Sequence, residues 1–292
     1  MALTVQSING SFVKEVQGVS LWSELAQSTV DELEDLWSTH GVIVFRRQAL
    51  SEDEILAFGQ RFGGMEAVVR QDWTAVGRPE VVRISNMRNE AGERIGGLGS
   101  NELAWHSDQS YMADPATGAM LYMVEMPQTG GNTYWANLQL AYDALPPSMK
   151  TRLEGVCAIF SYAKRQAGYK EDKPLAESIK QQTPDVVHPI VNVHPRTGAK
   201  SLYLDPSTTS GIVGMPDGEG QQLLDDLTAH ATQPEFVYRH DWQIGDLVMW
   251  DNGLVLHRRD PFDMAQNRLL KRTTIRLSPE RHILPRTVSR DL

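Results

Sequence analysis

From residue 42 onward the chain is written largely in short apolar runs, separated by stretches rich in Gly, Pro, Asn and Asp. The runs "VIVFR" (42–46), "VVRIS" (81–85), "GAMLYMVEM" (118–126), "NTYWAN" (132–137) and "CAIFSYA" (157–163) read as strands. So do "PIVNVH" (189–194), "SLYLD" (201–205), "FVYRHDW" (236–242), "DLVMWD" (246–251) and "TTIRL" (273–277). Many short strands spaced by turns, preceded by helices, predict a mainly β protein with flanking helices, built as an antiparallel barrel or jelly roll.

Helical periodicity marks 22–41, which ends in Gly41. The stretch 51–63 opens with Ser51 followed three residues later by Glu54, a capping-box signature. Further helices are expected over 138–154 and 216–231. The stretch 86–102 is a Gly-rich polar loop, and 164–187 has little periodicity of either kind. A long structureless insertion of that type is a lid or binding loop, or else a mobile surface loop. With no repeat, low-complexity tract or clear linker, 1–292 reads as one domain.

Composition narrows the function. A net charge of −9 argues against a nucleic-acid binder, which would need a basic face. The charge is uneven, however: from Arg258 onward nine Lys/Arg face four acids, so an anion is most easily held near that end. One cysteine, Cys157, allows no internal disulfide. The opening "MALTVQSING" lacks the features of a secretory signal, and no apolar run reaches membrane-spanning length, so a cytoplasmic protein without membrane contact is expected. The oligomeric state is left open, a homo-oligomer included.

The stretch "AWHSDQSYM" (104–112) carries the chemistry. If it is a strand, His106 and Asp108 point to one face and converge. A buried hydrogen-bonded pair or two ligands of one metal would each produce that pattern. Two imidazoles and a carboxylate on one face of Fe(II) would leave open positions for an anionic chelator and oxygen. The second imidazole has several candidates. His188 and His194 each precede a proline and read as structural; His230 sits near a helix end, where a cation is favoured. His240 and His257 both lie on or beside late strands and stay open on this reading. Beyond His257, Arg268 and Arg272 have the same parity in an apolar strand, so both should face one cavity, and arginine suits bidentate carboxylate recognition.

Together, "GVIVFRRQALSEDEILAFGQRFG", "WHSDQSYMADPATGAMLYMVEMPQTGGNTYWANLQLAYDALP", "HPIVNVHPRTGAKSLYLD", "GDLVMWDNGLVLHRRDPF" and "RLLKRTTI" resemble the taurine dioxygenase / dichlorophenoxyacetate dioxygenase family of Fe(II)- and 2-oxoglutarate-dependent oxygenases. The resemblance covers about residues 40 to 278. It implies a double-stranded β-helix, the cupin-like jelly roll. It assigns His106, Asp108 and His257 to iron, and Arg268 and Thr133 to the distal carboxylate of 2-oxoglutarate. It also implies that Arg272 reaches an anionic group of the substrate. O2 and 2-oxoglutarate would be consumed, succinate and CO2 released, and an unactivated C–H of a small, anionic organic molecule hydroxylated. Because Asp108 keeps the carboxylate that related halogenases replace, halogenation is not expected. Tyr162, Lys164, Arg165 and Arg70 are further candidate substrate contacts. The stretches "LGSNELAWH" and "VVRQDW" depart from the better-known members, so the substrate need be neither taurine nor a phenoxy acid. The same triad also serves desaturation or cyclisation in natural-product biosynthesis, and a non-catalytic jelly roll that merely holds an anion is the rival of another class.

Overall fold

The computed structural model describes residues 3–67, 73–75, 77–168, 181, 183–283 and 285. Two sheets face each other. The larger runs in the order Thr4–Ser7, Lys14–Gln17, Val42–Phe45, Leu247–Asp251, Gly118–Glu125, Leu269–Arg276, Arg78–Ser85, Thr74–Ala75. The smaller runs Val237–His240, Thr133–Asn137, Val255–Arg259, Leu103–His106. Neighbouring strands are antiparallel apart from the pairing of Lys14–Gln17 with Val42–Phe45 and of Arg78–Ser85 with the short strand Gly97–Leu98.

Why the central strands are apolar throughout follows from their two covered faces. Val42, Val44, Val248 and Trp250 point inward, into a core shared with Trp135, Tyr238 and Val255 of the smaller sheet. Their neighbours Ile43, Phe45, Leu247 and Met249 point outward, where Val30, Leu33 and Trp37 of the helix Gln27–His40 and Ile55 and Phe58 of the helix Glu52–Gln60 cover them. The first helix stops at Gly41, whose φ of 75° is the left-handed turn that glycine adopts most readily. The second starts with the expected capping box, Ser51 and Glu54 each bonding the other's backbone N–H. Both helices therefore brace the sheet from outside, and the inner face is left for the site.

Several boundaries differ from expectation. The strand at 104–112 ends at His106, and a turn begins at Asp108. The strand at 157–163 ends at Phe160, and Tyr162–Gly168 is helical. The helix over 138–154 is two helices, Leu138–Ala144 and Pro147–Arg152; consecutive prolines at 146 and 147 disfavour helical backbone in the residues before them. "PIVNVH" divides between Val186–Pro189 and Val191–Val193, which pair in different sheets. The N-terminal strands Thr4–Ser7 and Lys14–Gln17 were not expected: mostly polar and partly exposed, they give no apolar run to read. Of the lid segment 164–187, residues 164–168 continue a helix and 186–187 enter a strand, while 169–180 and 182 lie outside the described residues.

Candidate active site

His106 and His257 sit directly opposite each other on paired strands, with ring centroids 4.1 Å apart. Asp108 lies beside them, its Oδ2 3.9 Å from His257 Nε2. One ligand atom from each of the three falls within 4.8 Å of the others, and all three residues are buried. The turn that brings Asp108 here is held from two sides. Ser107 N–H and the Ser110 hydroxyl donate to Asp205 Oδ2, at 3.2 and 2.6 Å. The Ser107 hydroxyl donates to the Asn252 carbonyl at 3.0 Å, and Asp108 N–H to Asn252 Oδ1 at 3.5 Å. Gln109 takes a φ of 56° to complete the turn. Asp205 and Asn252 were not recognised from sequence as parts of the site. The available signals were a buried aspartate closing an apolar strand before a Ser/Thr run, and an amide side chain where only a turn was needed.

A second cluster, His194, Asp251 and His282, meets the same distance criterion. Tautomers separate the two. His106 Nδ1 sits 2.8 Å from the Ala104 carbonyl, so its proton is there and Nε2 keeps a lone pair for a metal. His194 Nδ1 instead accepts from the N–H groups of Arg196 and Thr197, which places its proton on Nε2, the atom facing Asp251. His282 Nδ1 already takes Asp251 Oδ2 at 2.6 Å, and Gly253 N–H takes Oδ1 at 2.7 Å. In the second cluster both carboxylate oxygens are thus hydrogen-bonded, and only His194 Nε2, 3.9 Å from Asp251, is left without such a bond. In the first, Asp108 Oδ2 has no hydrogen-bond partner among the described residues.

Three other histidines are also hydrogen-bonded. His240 lies between the Tyr238 hydroxyl and Asp246, at 2.8 and 2.9 Å, which removes it as the alternative to His257. His188 meets the Met112 carbonyl, and His230 that of Ala141.

Electrostatics prepare the triad. Burial, with help from His257, pulls the His106 imidazole down to about 3; burial alone dominates for His257, pulled to about 4. Burial acts to raise the Asp108 carboxyl, but the adjacent Arg272 guanidinium and the imidazoles outweigh it, so the group stays below the ordinary carboxylate range. Two neutral imidazoles and one carboxylate are the forms that ligate a metal.

These shifts have a measurable consequence. His188, also buried, is pulled to about 4. Below pH 6.5 the unfolded chain takes up protons at these three histidines, and the folded protein does not until pH 3–4, so stability falls as pH falls through that window. Thermal melts of chelator-treated protein should show Tm dropping steeply from pH 6.5 to 4. A profile flat across that range would contradict the burial of neutral imidazoles.

Beside the triad opens a cavity lined among others by His106, His257, Thr133, Arg268 and Arg272. The expected parity of Arg268 and Arg272 holds, since both reach it. Arg268 is 2% exposed. Its Nη2 donates to the Gly131 carbonyl at 2.9 Å, its Nε has no partner, and no carboxylate among the described residues pairs with it. Gly131 must be small here: a Cβ would lie 2.9 Å from Arg268 Nε. Burial and the neighbouring Arg259 push the Arg268 guanidinium well below its usual range. Thr133 Oγ1 accepts from the Trp242 indole at 3.0 Å. Leu103, Leu121, Ile84 and Trp250 supply apolar wall that sequence reading had not assigned.

Arg272 was expected to be free for substrate unless a protein acid held it. One does, by a single bond: Nη1 donates to Asp108 Oδ1 at 2.8 Å, while Nε stays without a partner. Tyr162, Lys164 and Arg165 do not line the cavity. Tyr162 packs on Tyr111 with centroids 4.6 Å apart, Lys164 donates to the Thr209 carbonyl, and Arg165 lies near Ser207 and Asp205. Arg70 lies outside the described residues.

The family model described as "Taurine catabolism dioxygenase TauD, TfdA family" matches residues 4–274. The chain belongs to this family. It is 37% identical over 284 residues to the alpha-ketoglutarate-dependent 2,4-dichlorophenoxyacetate dioxygenase of Cupriavidus pinatubonensis, covering 94% of this chain and 98% of that protein. It is 32% identical over 259 residues to a pentalenolactone F synthase of Streptomyces arenae, covering 82% and 84%. Among solved structures, AAD-2 in complex with Mn(II) and N-oxalylglycine superposes with a TM-score of 0.82 at 31% identity, over 98% of this chain and 100% of that one. This TauD/TfdA protein is thus a 2-oxoglutarate-dependent dioxygenase with Fe(II), 2-oxoglutarate and O2 as cofactor and cosubstrates. No helix among the described residues is long and apolar enough to cross a membrane.

Proposed function

We propose that this chain, acting as one domain on a double-stranded β-helix scaffold in the cytoplasm, hydroxylates an unactivated C–H of a small anionic organic molecule. Succinate and CO2 are the coproducts. His106, Asp108 and His257 hold Fe(II), and Arg268 with Thr133 holds the distal carboxylate of 2-oxoglutarate. The observation that carries this is a metal-ready triad, with Asp108 Oδ2 free of hydrogen bonds, whose two histidines line one cavity with Arg268, a buried cation that no carboxylate among the described residues pairs with. A buried guanidinium without a counter-ion is unfavourable, and a dicarboxylate supplies one.

Fe(II), 2-oxoglutarate and O2 supply the oxidising power: one oxygen atom leaves in succinate, and the other enters the C–H bond. The residues of the chain bind and orient. His106 is fixed by the Ala104 carbonyl, with Nε2 left for the metal. Arg272 holds Asp108 Oδ1 and so leaves Oδ2 as the ligand atom. The remaining donors of Arg272 face the same cavity and anchor the anionic end of the substrate, while Leu103, Leu121 and Ile84 exclude water around its reacting carbon. Tyr162 and Arg165 are outer substrate contacts, and Arg70 stays a candidate contact outside the described residues.

Arg272→Leu tests the anchoring. Substrate KM should rise by tenfold or more, and the ratio of succinate formed to product formed should climb well above one, because a loosely held C–H is missed. Unchanged KM and coupling in the variant, or a neutral true substrate, would overturn the anionic assignment.

A second reading, that the same triad performs desaturation or cyclisation, is favoured by the similarity to a pentalenolactone F synthase. A product lighter by two hydrogens, in place of one heavier by an oxygen, would select it. A purely anion-holding protein would have no need for a carboxylate oxygen left open between two neutral imidazoles.

A further inference from the structure

We propose that Trp242 is a positioning residue for the cosubstrate: its indole N–H fixes the Thr133 hydroxyl so that the hydroxyl's own proton turns into the cavity, toward a carboxylate. The inference rests on the assignment of Thr133 to the 2-oxoglutarate carboxylate.

An indole nitrogen only donates, and a carboxylate only accepts. A threonine hydroxyl can do either, so what it offers a ligand depends on what already holds it. Here Trp242 Nε1 donates to Thr133 Oγ1 at 3.0 Å, with both residues about 5% exposed or less. The oxygen is therefore already an acceptor, and among the described residues nothing takes its proton. Thr133 lines the cavity together with Arg268, so the remaining direction for that proton is the one an acceptor-only ligand needs.

The indole is itself held. The His240 ring meets Trp242 edge to face at 4.5 Å and 83°. His240 is locked in turn between Tyr238 and Asp246. Pairing of buried indoles is not general in this protein: Trp37 and Trp135 leave theirs without partners, whereas Trp242 and Trp250 donate to Thr133 and Asn252 beside the site. The sheet register adds a reason for precision, because Thr133 stands opposite His240 on one side and Arg259 on the other. A free hydroxyl rotor between those strands would otherwise have several orientations.

The test is calorimetric titration of 2-oxoglutarate, and of 2-oxobutyrate, which lacks the distal carboxylate, into Mn(II)-loaded protein. Trp242→Phe keeps an aromatic ring and removes the donor. It should weaken 2-oxoglutarate binding about three- to tenfold, the size of one neutral hydrogen bond, and leave 2-oxobutyrate within twofold of the parent. Thr133→Val, which removes the bond to the charged carboxylate itself, should show a loss at least as large, and the double variant no more than Thr133→Val alone. If Thr133→Val leaves 2-oxoglutarate binding unchanged, the Thr133 assignment falls and the inference with it. If Thr133→Val weakens binding and Trp242→Phe does not, the inference alone is overturned. Equal weakening of both oxo acids by Trp242→Phe would also overturn it, by showing a packing role. Should Trp242→Phe not fold, benzothienylalanine at position 242, with sulfur in place of the N–H in a ring of the same shape, repeats the test.

Discussion

Replacing His257 with alanine should remove most turnover and most bound Fe(II) while leaving a folded protein. The imidazole is one of three ligand atoms gathered within 4.8 Å, and a two-ligand site cannot keep the metal in the same geometry. The fold does not depend on it. The turn beside it is secured by Asp205, Ser107, Ser110 and Asn252, and the strand Val255–Arg259 is paired on both sides. His106→Ala and Asp108→Ala should behave alike, with Asp108→Ala also releasing Arg272 from its bond. Metal content by elemental analysis, circular dichroism and turnover separate these expectations. Full turnover in His257→Ala together with loss in His240→Ala would mean that the wrong late histidine had been chosen.

Arg268→Ala should weaken 2-oxoglutarate by about 2–5 kcal/mol, the usual loss when one side of a desolvated charge pair is truncated. That corresponds to a KM raised at least about thirtyfold, and far more at the upper end. The side chain is 2% exposed and has no carboxylate partner among the described residues, so an incoming dicarboxylate meets a cation already desolvated. Substrate affinity should fall less, because Arg272, and not Arg268, is bonded to Asp108 of the candidate metal triad. Arg268→Lys should recover only part of the loss, since an ammonium lacks the planar fork. An unchanged apparent KM for 2-oxoglutarate would remove Arg268 from the cosubstrate site.

The strands were legible wherever apolar runs met covered faces, as in Val42–Phe45 and Leu247–Asp251, where every residue is buried. Alternation failed where the backbone turned. Asp108 was expected inside the strand of His106, but the paired strand ends at His106 and Asp108 opens the turn that follows, with Gln109 at positive φ. The late histidine stayed open between His240 and His257 because pairing across strands distant in sequence sets the distance. Only the register, with His257 opposite His106, decides it. Asp205 and Asn252 were invisible for the same reason, since each acts on a turn about a hundred or more residues away. Arg268 and Arg272 were legible from parity, but the bond from Arg272 to Asp108 was not, because it crosses between the two sheets.

The central claim is oxygen insertion into substrate coupled to oxidation of 2-oxoglutarate at this site. It is tested most directly by turnover under ¹⁸O₂ with Fe(II), 2-oxoglutarate and whichever small carboxylate, sulfonate or sulfate most accelerates succinate release. One labelled atom should appear in succinate and one in a product heavier by a single oxygen, with both signals lost in Asp108→Ala. Succinate formed without label, or a product that loses two hydrogens and gains no oxygen, would contradict the account.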